Sequence, residues 1–378
     1  MEYEQNPFGE LPEALVEEML SKSQQLGEEV FGSFNGIQEN KNIMRERLLK
    51  ANILRRDSDL SYSEIPTTCG IDGSYVVDRL LATDIAACAA VAMEGLTPPS
   101  ENRYWERPHH EAFMHPEKHN LETNSILRGL MMGMEIELAA KSPHDLILID
   151  GSLTTPLIYF NQAINGLITN PQAKVGQELS TRLMTFLESY KKILQSTRSD
   201  KMWVGIPKYT TKREIGIKFE WPSSYDDRAI LTNLMFPGEF LAPIPLTQPQ
   251  SEWHLALPSE HTKLRQIVQE IIMGIKNIYV LYYKPNRWSP ALRIEMAASI
   301  ASNDSRIAIV LKGLGHQCQT PGIMEPYPLY IADQMVKSMS KAMPAFRQIA
   351  ISRMTEMYHG DISEIFFSMH GYRTESGR

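Results

Sequence analysis

The amino-acid sequence predicts an α/β protein in which helices flank a mixed β-sheet, with helical extensions at both ends of the chain. Short apolar runs that fit buried strands recur along the 378 residues. Between them lie longer stretches whose apolar residues recur at the spacing of one helix face. Strands that alternate with helices are typical of α/β or mixed-sheet domains rather than of helical bundles or β-sandwiches.

The predicted strands set the layout of the sheet. They cover residues 67–72, 145–150, 202–206, 279–283 and 306–311. The alanine-rich stretch 80–93 fits either a strand or a helix, because its periodicity does not decide between them. The polar stretch 98–119 contains several prolines and histidines and is predicted as a loop.

Helical periodicity predicts the remaining elements. Residues 11–54 are predicted as two helices, with Pro12 at the first position of the first helix and Asn40 capping the second. Further helices are predicted at 121–141, 177–195, 290–301, 328–342 and 344–358.

Composition restricts the class of protein. With 43% hydrophobic and 22% charged residues, the chain fits a soluble globular protein with no membrane span and no signal peptide. Cys69, Cys88 and Cys318 form no CxxC motif, which favours reduced thiols in a cytoplasmic protein. The net charge of −7 disfavours a free-standing DNA-binding protein. A DNA substrate would therefore need local basic groups, a bound metal or a partner protein.

One short phrase occurs twice and points to chemistry. Asp72-Gly73-Ser74 and Asp150-Gly151-Ser152 each follow an apolar run, where a strand would present a carboxylate and then turn on the glycine. Two carboxylates at neighbouring strand ends can bind a pair of divalent cations that cleave a phosphodiester. Asp-Gly is also a common turn, so a single copy would carry little weight. The repetition favours a metal-dependent nuclease.

A third carboxylate is expected from the helix between these two strands. Glu135 and Glu137 lie near its end, on opposite edges of the apolar stripe. Glu135 is the preferred ligand, and Glu137 remains the alternative. The sequence contains no P-loop, so we expect no ATP hydrolysis by this chain.

Basic residues after two predicted strands are candidate phosphate contacts. Lys208 follows the strand at 202–206, and Lys284, Arg287 and Arg293 follow the strand at 279–283. Ordinary solvated surface is an equally good interpretation of each.

With these pieces in order, the sequence resembles the NurA family of DNA-end-processing nucleases. The resemblance runs from about residue 65 to about residue 345. Its motifs are Gly70-Ile71-Asp72-Gly73-Ser74, Leu146-Ile147-Leu148-Ile149-Asp150-Gly151-Ser152-Leu153, Val204-Gly205-Ile206-Pro207-Lys208, Asp226-Asp227-Arg228-Ala229-Ile230-Leu231, Tyr282-Tyr283-Lys284-Pro285 and Glu325-Pro326-Tyr327-Pro328-Leu329-Tyr330-Ile331-Ala332-Asp333. Each motif alone is weak, whereas the ordered set is fairly specific.

The resemblance implies an RNase H-like fold whose mixed sheet presents acidic residues to two Mn²⁺ or Mg²⁺ ions. It implies single-strand endonuclease and 5′-to-3′ exonuclease activity in the processing of double-strand breaks. It also implies a homodimer that works with HerA, a hexameric ring ATPase that pumps DNA. In this scheme Asp72, Asp150 and Glu135 are metal ligands, and Asp333 completes the acidic cluster or positions water.

The domain prediction follows the extent of the motifs. Residues 61–345 form the nuclease domain, residues 1–60 an N-terminal helical extension for dimer or partner contacts, and residues 346–378 a C-terminal helical extension. Two other functions remain open at this point. One is a non-catalytic subunit of a ring ATPase with the same fold, and the other is a metal phosphohydrolase that acts on small phosphate esters.

Overall fold

The computed structural model describes residues 8–9, 11–61, 63–210, 212–223, 225–257 and 262–376. The strands are β1 (Leu54–Arg56), β2 (Thr68–Leu80), β3 (Asp84–Glu94), β4 (His109–Glu117), β5 (Leu146–Asp150), β6 (Met202–Ile206), β7 (Glu239–Leu241), β8 (Ile244–Pro245), β9 (Ile278–Lys284), β10 (Leu292–Ala297) and β11 (Gly371–Ser376). The α-helices are α1 (Glu13–Lys50), α2 (Thr123–Lys141), α3 (Thr155–Thr169), α4 (Lys174–Leu194), α5 (Glu214–Lys218), α6 (Asp227–Leu234), α7 (Thr262–Lys276), α8 (Ala298–Ala301), α9 (Asp304–Gln317), α10 (Tyr327–Met357) and α11 (Ile362–Ser368).

All the strands described join one mixed sheet. Its main path runs β1-β7-β9-β10-β6-β5-β2-β3-β4, while β11 pairs with β2 and β8 pairs with β9. The pairs β2–β5 and β5–β6 are parallel, and the other pairings are antiparallel. The predicted α/β architecture, a mixed sheet flanked by helices, is confirmed.

Successive side chains of β5 point to opposite faces of the sheet and pack into two hydrophobic cores, one on each face. Ile147 and Ile149 pack into the core that includes α2, α3 and α4. Leu146 and Leu148 face the opposite core, to which α9 contributes and where Leu329 of α10 packs. Because both faces are covered, β5 and β6 are apolar almost throughout, as expected for central parallel strands.

The two Asp-Gly-Ser phrases behave differently, and the prediction of a turn is wrong for the first. β2 continues through Asp72 and Gly73 to Leu80, because β3 pairs with it without interruption along this stretch. The second phrase turns as predicted. β5 ends at Asp150, and Gly151 has φ +92°, a conformation that favours glycine.

Several other elements differ from the prediction. The stretch 80–93 is mostly strand, and the predicted loop 98–119 contains β4. Within the predicted helix 290–301, Leu292–Ala297 form β10, which pairs with β9 and β6, and only Ala298–Ala301 are helical. The predicted strand 306–311 is part of α9, which begins at a cap. That cap is Asn303, whose side chain accepts hydrogen bonds from the amides of Ser305 and Arg306.

The predicted helix pairs at the two ends are each one long helix. α1 runs through Asn40, whose side-chain amide donates to the Gly36 carbonyl instead of capping a new helix. α10 likewise continues through Pro344. The three cysteines are buried and unpaired, as predicted. Among the described residues, none of the helices combines the length and apolar character that a bilayer crossing requires.

Candidate metal centre

Three aspartates from three different elements meet at one edge of the sheet. One carboxylate oxygen from each of Asp72, Asp150 and Asp333 lies within 4.8 Å of the other two. Parallel pairing of β2 with β5 sets Ile71 opposite Ile149, so the next residue of each strand is an aspartate. The sequence-predicted pair is therefore brought together by strand register.

Asp333 reaches this edge because α10 packs directly against β2. A side chain at Gly70 would place its Cβ 2.7 Å from the Leu329 amide nitrogen, so glycine is required for this approach. Asp333 lies one and a half turns into α10, which begins at Tyr327 with Pro328 in its first turn.

Glu135 lies beside the aspartates, on the α2 side of β2. A Cβ at Gly73 would lie 2.4 Å from Glu135 Oε1, so the missing side chain leaves room for this buried carboxyl. Burial, together with the charges of Asp72 and Asp150, raises the pKa of Glu135 well above its ordinary value. No cation forms an ion pair with Glu135 within the described part of the chain.

Glu137, the alternative ligand, has other partners. Its carboxylate accepts from Lys141 Nζ and from Arg182 at 2.5 Å each. Burial opposes its charge, but these two cations lower the pKa of Glu137. Glu137 is thus occupied by two cations, whereas Glu135 is the glutamate of α2 on which the charges of Asp72 and Asp150 act.

Lys208 supplies positive charge inside the cluster. Its ammonium lies 3.0 Å from Asp150 Oδ2, 2.9 Å from Glu325 Oε2 and 3.6 Å from Asp333 Oδ1. Burial opposes the charge on Lys208, but the Asp150 and Glu325 carboxylates raise its pKa above the ordinary lysine value. A lysine held among three carboxylates marks a point of strong negative potential.

The aspartates themselves differ in protonation tendency. Burial and the charge of Asp150 raise the pKa of Asp72 well above its ordinary range, although Lys208 acts in the opposite direction. Burial also opposes ionisation of Asp333, but Lys337, at 2.9 Å, and Lys208 lower its pKa. Asp333 is therefore the carboxylate of the two that more readily stays ionised.

A buried network fixes the turn that carries Asp150. Glu295 of β10 accepts from Ser152 Oγ at 2.6 Å and from the Leu153 amide at 3.0 Å. Arg293 lies beneath it, with its guanidinium on Glu295 and Glu214. Arg293 is completely buried in these ion pairs, which explains its position better than the predicted phosphate contact does.

Two further basic residues from the sequence prediction lie elsewhere. Lys284 is buried and its ammonium donates to the Thr232 carbonyl at 2.5 Å. Arg287 is exposed in the segment between β9 and β10. The structure therefore brings Lys208 to the acidic cluster but not Lys284.

Sequence reasoning missed Glu325 and Glu295. Glu325 opens the last motif of the family resemblance, so that motif was the available signal for it. Glu295 had no local signal, because its partners Ser152 and Leu153 lie more than 140 residues away along the chain.

The donor set fits a hard divalent cation. Only carboxylate oxygens form the group of three, and neither histidine nor cysteine joins it among the described residues. Such ligands suit Mg²⁺ and Mn²⁺ rather than a structural zinc ion. Asp72, Asp150 and Asp333, with Glu135 beside them, would hold the metal. The chemistry of the cluster therefore fits a divalent-metal site.

Comparisons with known proteins identify the family and the fold of the chain. The model of the NurA domain matches residues 66–338. The crystal structure of the NurA nuclease from Sulfolobus solfataricus is similar at 14% identity and a TM-score of 0.58, over 90% of this chain and 98% of that one. A search of curated proteins finds no match.

Two more solved structures share the fold. A NurA structure with manganese matches at 14% identity and a TM-score of 0.52, over 86% of this chain and 98% of that one. A NurA structure bound to dAMP and manganese matches at 15% identity and a TM-score of 0.50, over 83% of this chain and 92% of that one. At these identities the structures establish the fold, and the domain match, which covers most of the chain, establishes the family. The chain belongs to the NurA domain family.

Proposed function

We propose that this protein is a metal-dependent DNA nuclease whose active site is the Asp72–Asp150–Asp333 cluster with Glu135. The observation that carries the proposal is the convergence of Asp72, Asp150 and Asp333 at one sheet edge in a chain of the NurA family. Two of the similar structures add support, since one is described as a nuclease and another holds dAMP and manganese. We assign the core to the RNase H-like type on the same grounds.

The proposed mechanism assigns a role to each side chain. Asp72, Asp150 and Glu135 would hold two Mn²⁺ or Mg²⁺ ions, and Asp333 would complete the acidic cluster around them. Bound divalent metal of this kind lowers the pKa of water and stabilises the leaving oxygen of a phosphodiester. Burial opposes the charge of Asp333, but Lys337 and Lys208 lower its pKa, so it stays ionised and accepts a hydrogen bond that positions the attacking water. Lys208 donates to an oxygen of the scissile phosphate and stabilises the charge that develops on it.

The substrate and its processing follow the family resemblance. We propose single-strand endonuclease and 5′-to-3′ exonuclease activity on DNA ends in double-strand break repair, in the cytoplasm. The acidic net charge of −7 supports a partner that delivers the strand, because the chain as a whole repels DNA. A HerA-type hexameric translocase would supply this delivery.

The proposed contacts with partners involve the N-terminal extension, residues 1–60. α1 carries large apolar side chains that are exposed along its first two turns and beyond, among them Leu15, Met19, Leu26 and Val30. Only toward its end, from Ile37 onward, does α1 contribute buried side chains to the core. An exposed apolar helix face of this kind favours a protein interface, and we assign it to a homodimer or to the translocase.

The test is a cleavage assay on end-labelled single-stranded and duplex DNA with Mn²⁺, Mg²⁺ or EDTA. The proposal predicts cleavage with Mn²⁺ or Mg²⁺, none in EDTA, and none by an Asp72→Ala variant that is folded by circular dichroism. If the isolated wild-type chain is inactive, the assay is repeated with a HerA-type ATPase and ATP. Inactivity there as well, or full activity of Asp72→Ala, would contradict the proposal.

A further inference from the structure

An arginine between two tyrosines lies on the α2 face of the sheet, the face on which Glu135 approaches β2. The guanidinium carbon of Arg128 lies 5.7 Å from the ring centroid of Tyr75 and 4.9 Å from that of Tyr159. Both distances fall within the range of cation–π attraction. All three side chains are partly exposed, so solvent reaches the group that they form.

Arg128 and Tyr75 lie on the same two elements as Glu135 and Gly73. Arg128 and Glu135 lie on α2 with a spacing of seven residues, which places them on the same helix face. Gly73 and Tyr75 lie on β2 with a spacing of two, which places them on the same sheet face. α3, which carries Tyr159, follows the turn after Asp150. α2 and β2, which bring Glu135 and Gly73 together, therefore each contribute one member of the group, and α3 contributes the third.

The spacing between Glu135 and Arg128 along β2 suits one nucleotide. Glu135 lies against Gly73, and Arg128 lies against Tyr75 two residues further along β2. Two residues of an extended strand span about 6.6 Å. A nucleotide strand that enters the acidic site along β2 would place its neighbouring phosphate or base at this group.

Arg128 is available for an anionic ligand. No carboxylate forms an ion pair with it in the described part of the chain, and its buried Nε has no hydrogen-bond partner there. An arginine without an anionic partner leaves its planar donor fork available for phosphate. In a chain of net charge −7, such a cation close to the active site offers the local attraction that a nucleic acid needs.

We propose that Arg128, Tyr75 and Tyr159 form a subsite for the nucleotide that adjoins the scissile phosphate of single-stranded DNA. Arg128 binds the phosphate of that nucleotide, and the tyrosines orient the guanidinium and offer a ring on which the base stacks. This subsite rests on the proposed nuclease function for its role in cleavage, but its binding of single strands can be measured without cleavage.

The test measures the binding of a fluorescent oligothymidylate by anisotropy in Ca²⁺, at several salt concentrations, with a denaturing gel to verify that the strand stays intact. Loss of one phosphate contact on a single strand lowers the slope of log affinity against log salt by about 0.7. We expect Arg128→Met to weaken binding at least about fivefold and to lower the slope by this amount. Arg128→Lys should retain the slope, because the charge remains.

The control is Arg353→Met, which removes an exposed arginine of α10 that pairs with Glu356. It should leave both affinity and slope unchanged. Tyr75→Leu provides a variant that keeps all charges, and loss of one stacked base should weaken binding about tenfold with an unchanged slope. This variant decides the matter if Arg128→Met does not fold, as judged by its thermal melting curve.

The outcomes separate the subsite from the nuclease proposal. A wild-type slope in folded Arg128→Met, or wild-type affinity of Tyr75→Leu, would overturn the subsite even if the protein cleaves DNA. Equal losses in Arg128→Met and Arg353→Met would also overturn it, since a general charge effect would explain both. If the variants lose binding as expected but the wild-type protein cleaves no DNA, the subsite proposal stands and the nuclease proposal fails.

Discussion

The ammonium nitrogen of Lys208 lies 3.0 Å from the Asp150 carboxylate, and it lies 3.6 Å from Asp333. The lysine thus neutralises part of the negative charge of the cluster in the absence of metal. A divalent cation that binds to these carboxylates would compete with Lys208 for the same oxygens. Lys208 therefore has two effects in our account, since it weakens metal binding and assists the phosphate.

Substitution Lys208→Met should separate these effects. Removal of the ammonium leaves Asp150, Asp333 and Glu325 without their shared cation. Mn²⁺ should then bind at least about tenfold more tightly than to the wild type, because a unit charge at this distance contributes on the order of 1 kcal/mol or more even when solvent screens it. Cleavage should fall even when metal is saturating. Isothermal titration with Mn²⁺ and a cleavage assay check the two parts, and weaker Mn²⁺ binding would contradict the first.

Substitution Gly73→Ala should damage the site without removing a charged group. The new Cβ would lie 2.4 Å from Glu135 Oε1 and 2.9 Å from Met131 Cγ, so the glutamate has to move. We expect Mn²⁺-dependent cleavage to fall about a hundredfold, since misplacement of about 1 Å can have an effect of that size. Gly36→Ala on α1 is the matched control, because its Cβ meets nothing within 4 Å. Equal activity of the two variants would argue against the position of Glu135.

The choice between the two glutamates of α2 has its own test. Glu135→Gln should abolish Mn²⁺-dependent cleavage, because this carboxyl lies beside the aspartates and has no cation of its own among the described residues. Glu137→Gln should retain cleavage, since it loses only part of its contacts with Lys141 and Arg182. Steady-state cleavage of a labelled single strand compares them. The reverse pattern would identify Glu137 as the ligand.

A buried histidine predicts how stability depends on pH. His144 is completely buried between Ser142 and Glu94, and burial lowers its pKa to about 4, although Glu94 acts in the opposite direction. In the unfolded chain its pKa is the ordinary histidine value of 6.5, so it takes up a proton near that pH. The unfolded state therefore binds more protons between these values, so stability falls as the pH falls through this window. The loss from this residue is about 3 kcal/mol between pH 7 and pH 4.

The measurement for His144 is urea denaturation at several pH values. His144→Gln should lose stability less steeply than the wild type between pH 6.5 and pH 4, because glutamine does not titrate. The remaining titratable groups are present in both proteins and contribute to the pH dependence of both, so the difference between the two curves reports on His144. Parallel curves across this range would show that His144 is protonated in the folded protein as readily as in the unfolded one.

The sequence predicted the central part of the fold because apolar runs there are short and bounded by clear turns. β5 and β6 were found, and the parallel register of β5 with β2 explains why Asp72 and Asp150 meet. The apolar run at 306–311 was interpreted as a strand because a short run does not reveal its period. The cap formed by Asn303 decides in favour of a helix there.

The rest of the site depends on contacts that no local pattern encodes. Whether Gly73 turns or stays extended depends on β3, which pairs with β2 along its whole length at this point. The choice of Glu135 over Glu137 depends on the rotation of α2 against β2, which Gly73 permits. Glu295 reaches the Asp150 turn from β10, and Glu325 reaches Lys208 from the segment before α10. These residues become visible only when the sheet brings them together.

The central claim is that Asp72, Asp150 and Asp333 form a divalent-metal centre. Crystals of the wild-type chain grown with Mn²⁺, and measured at the manganese absorption edge, test this claim most directly. The account predicts an anomalous difference peak between the carboxylates of these three aspartates, with Lys208 displaced from Asp150. Saturating Mn²⁺ with no peak at the cluster, or with a peak only elsewhere on the protein, would contradict it.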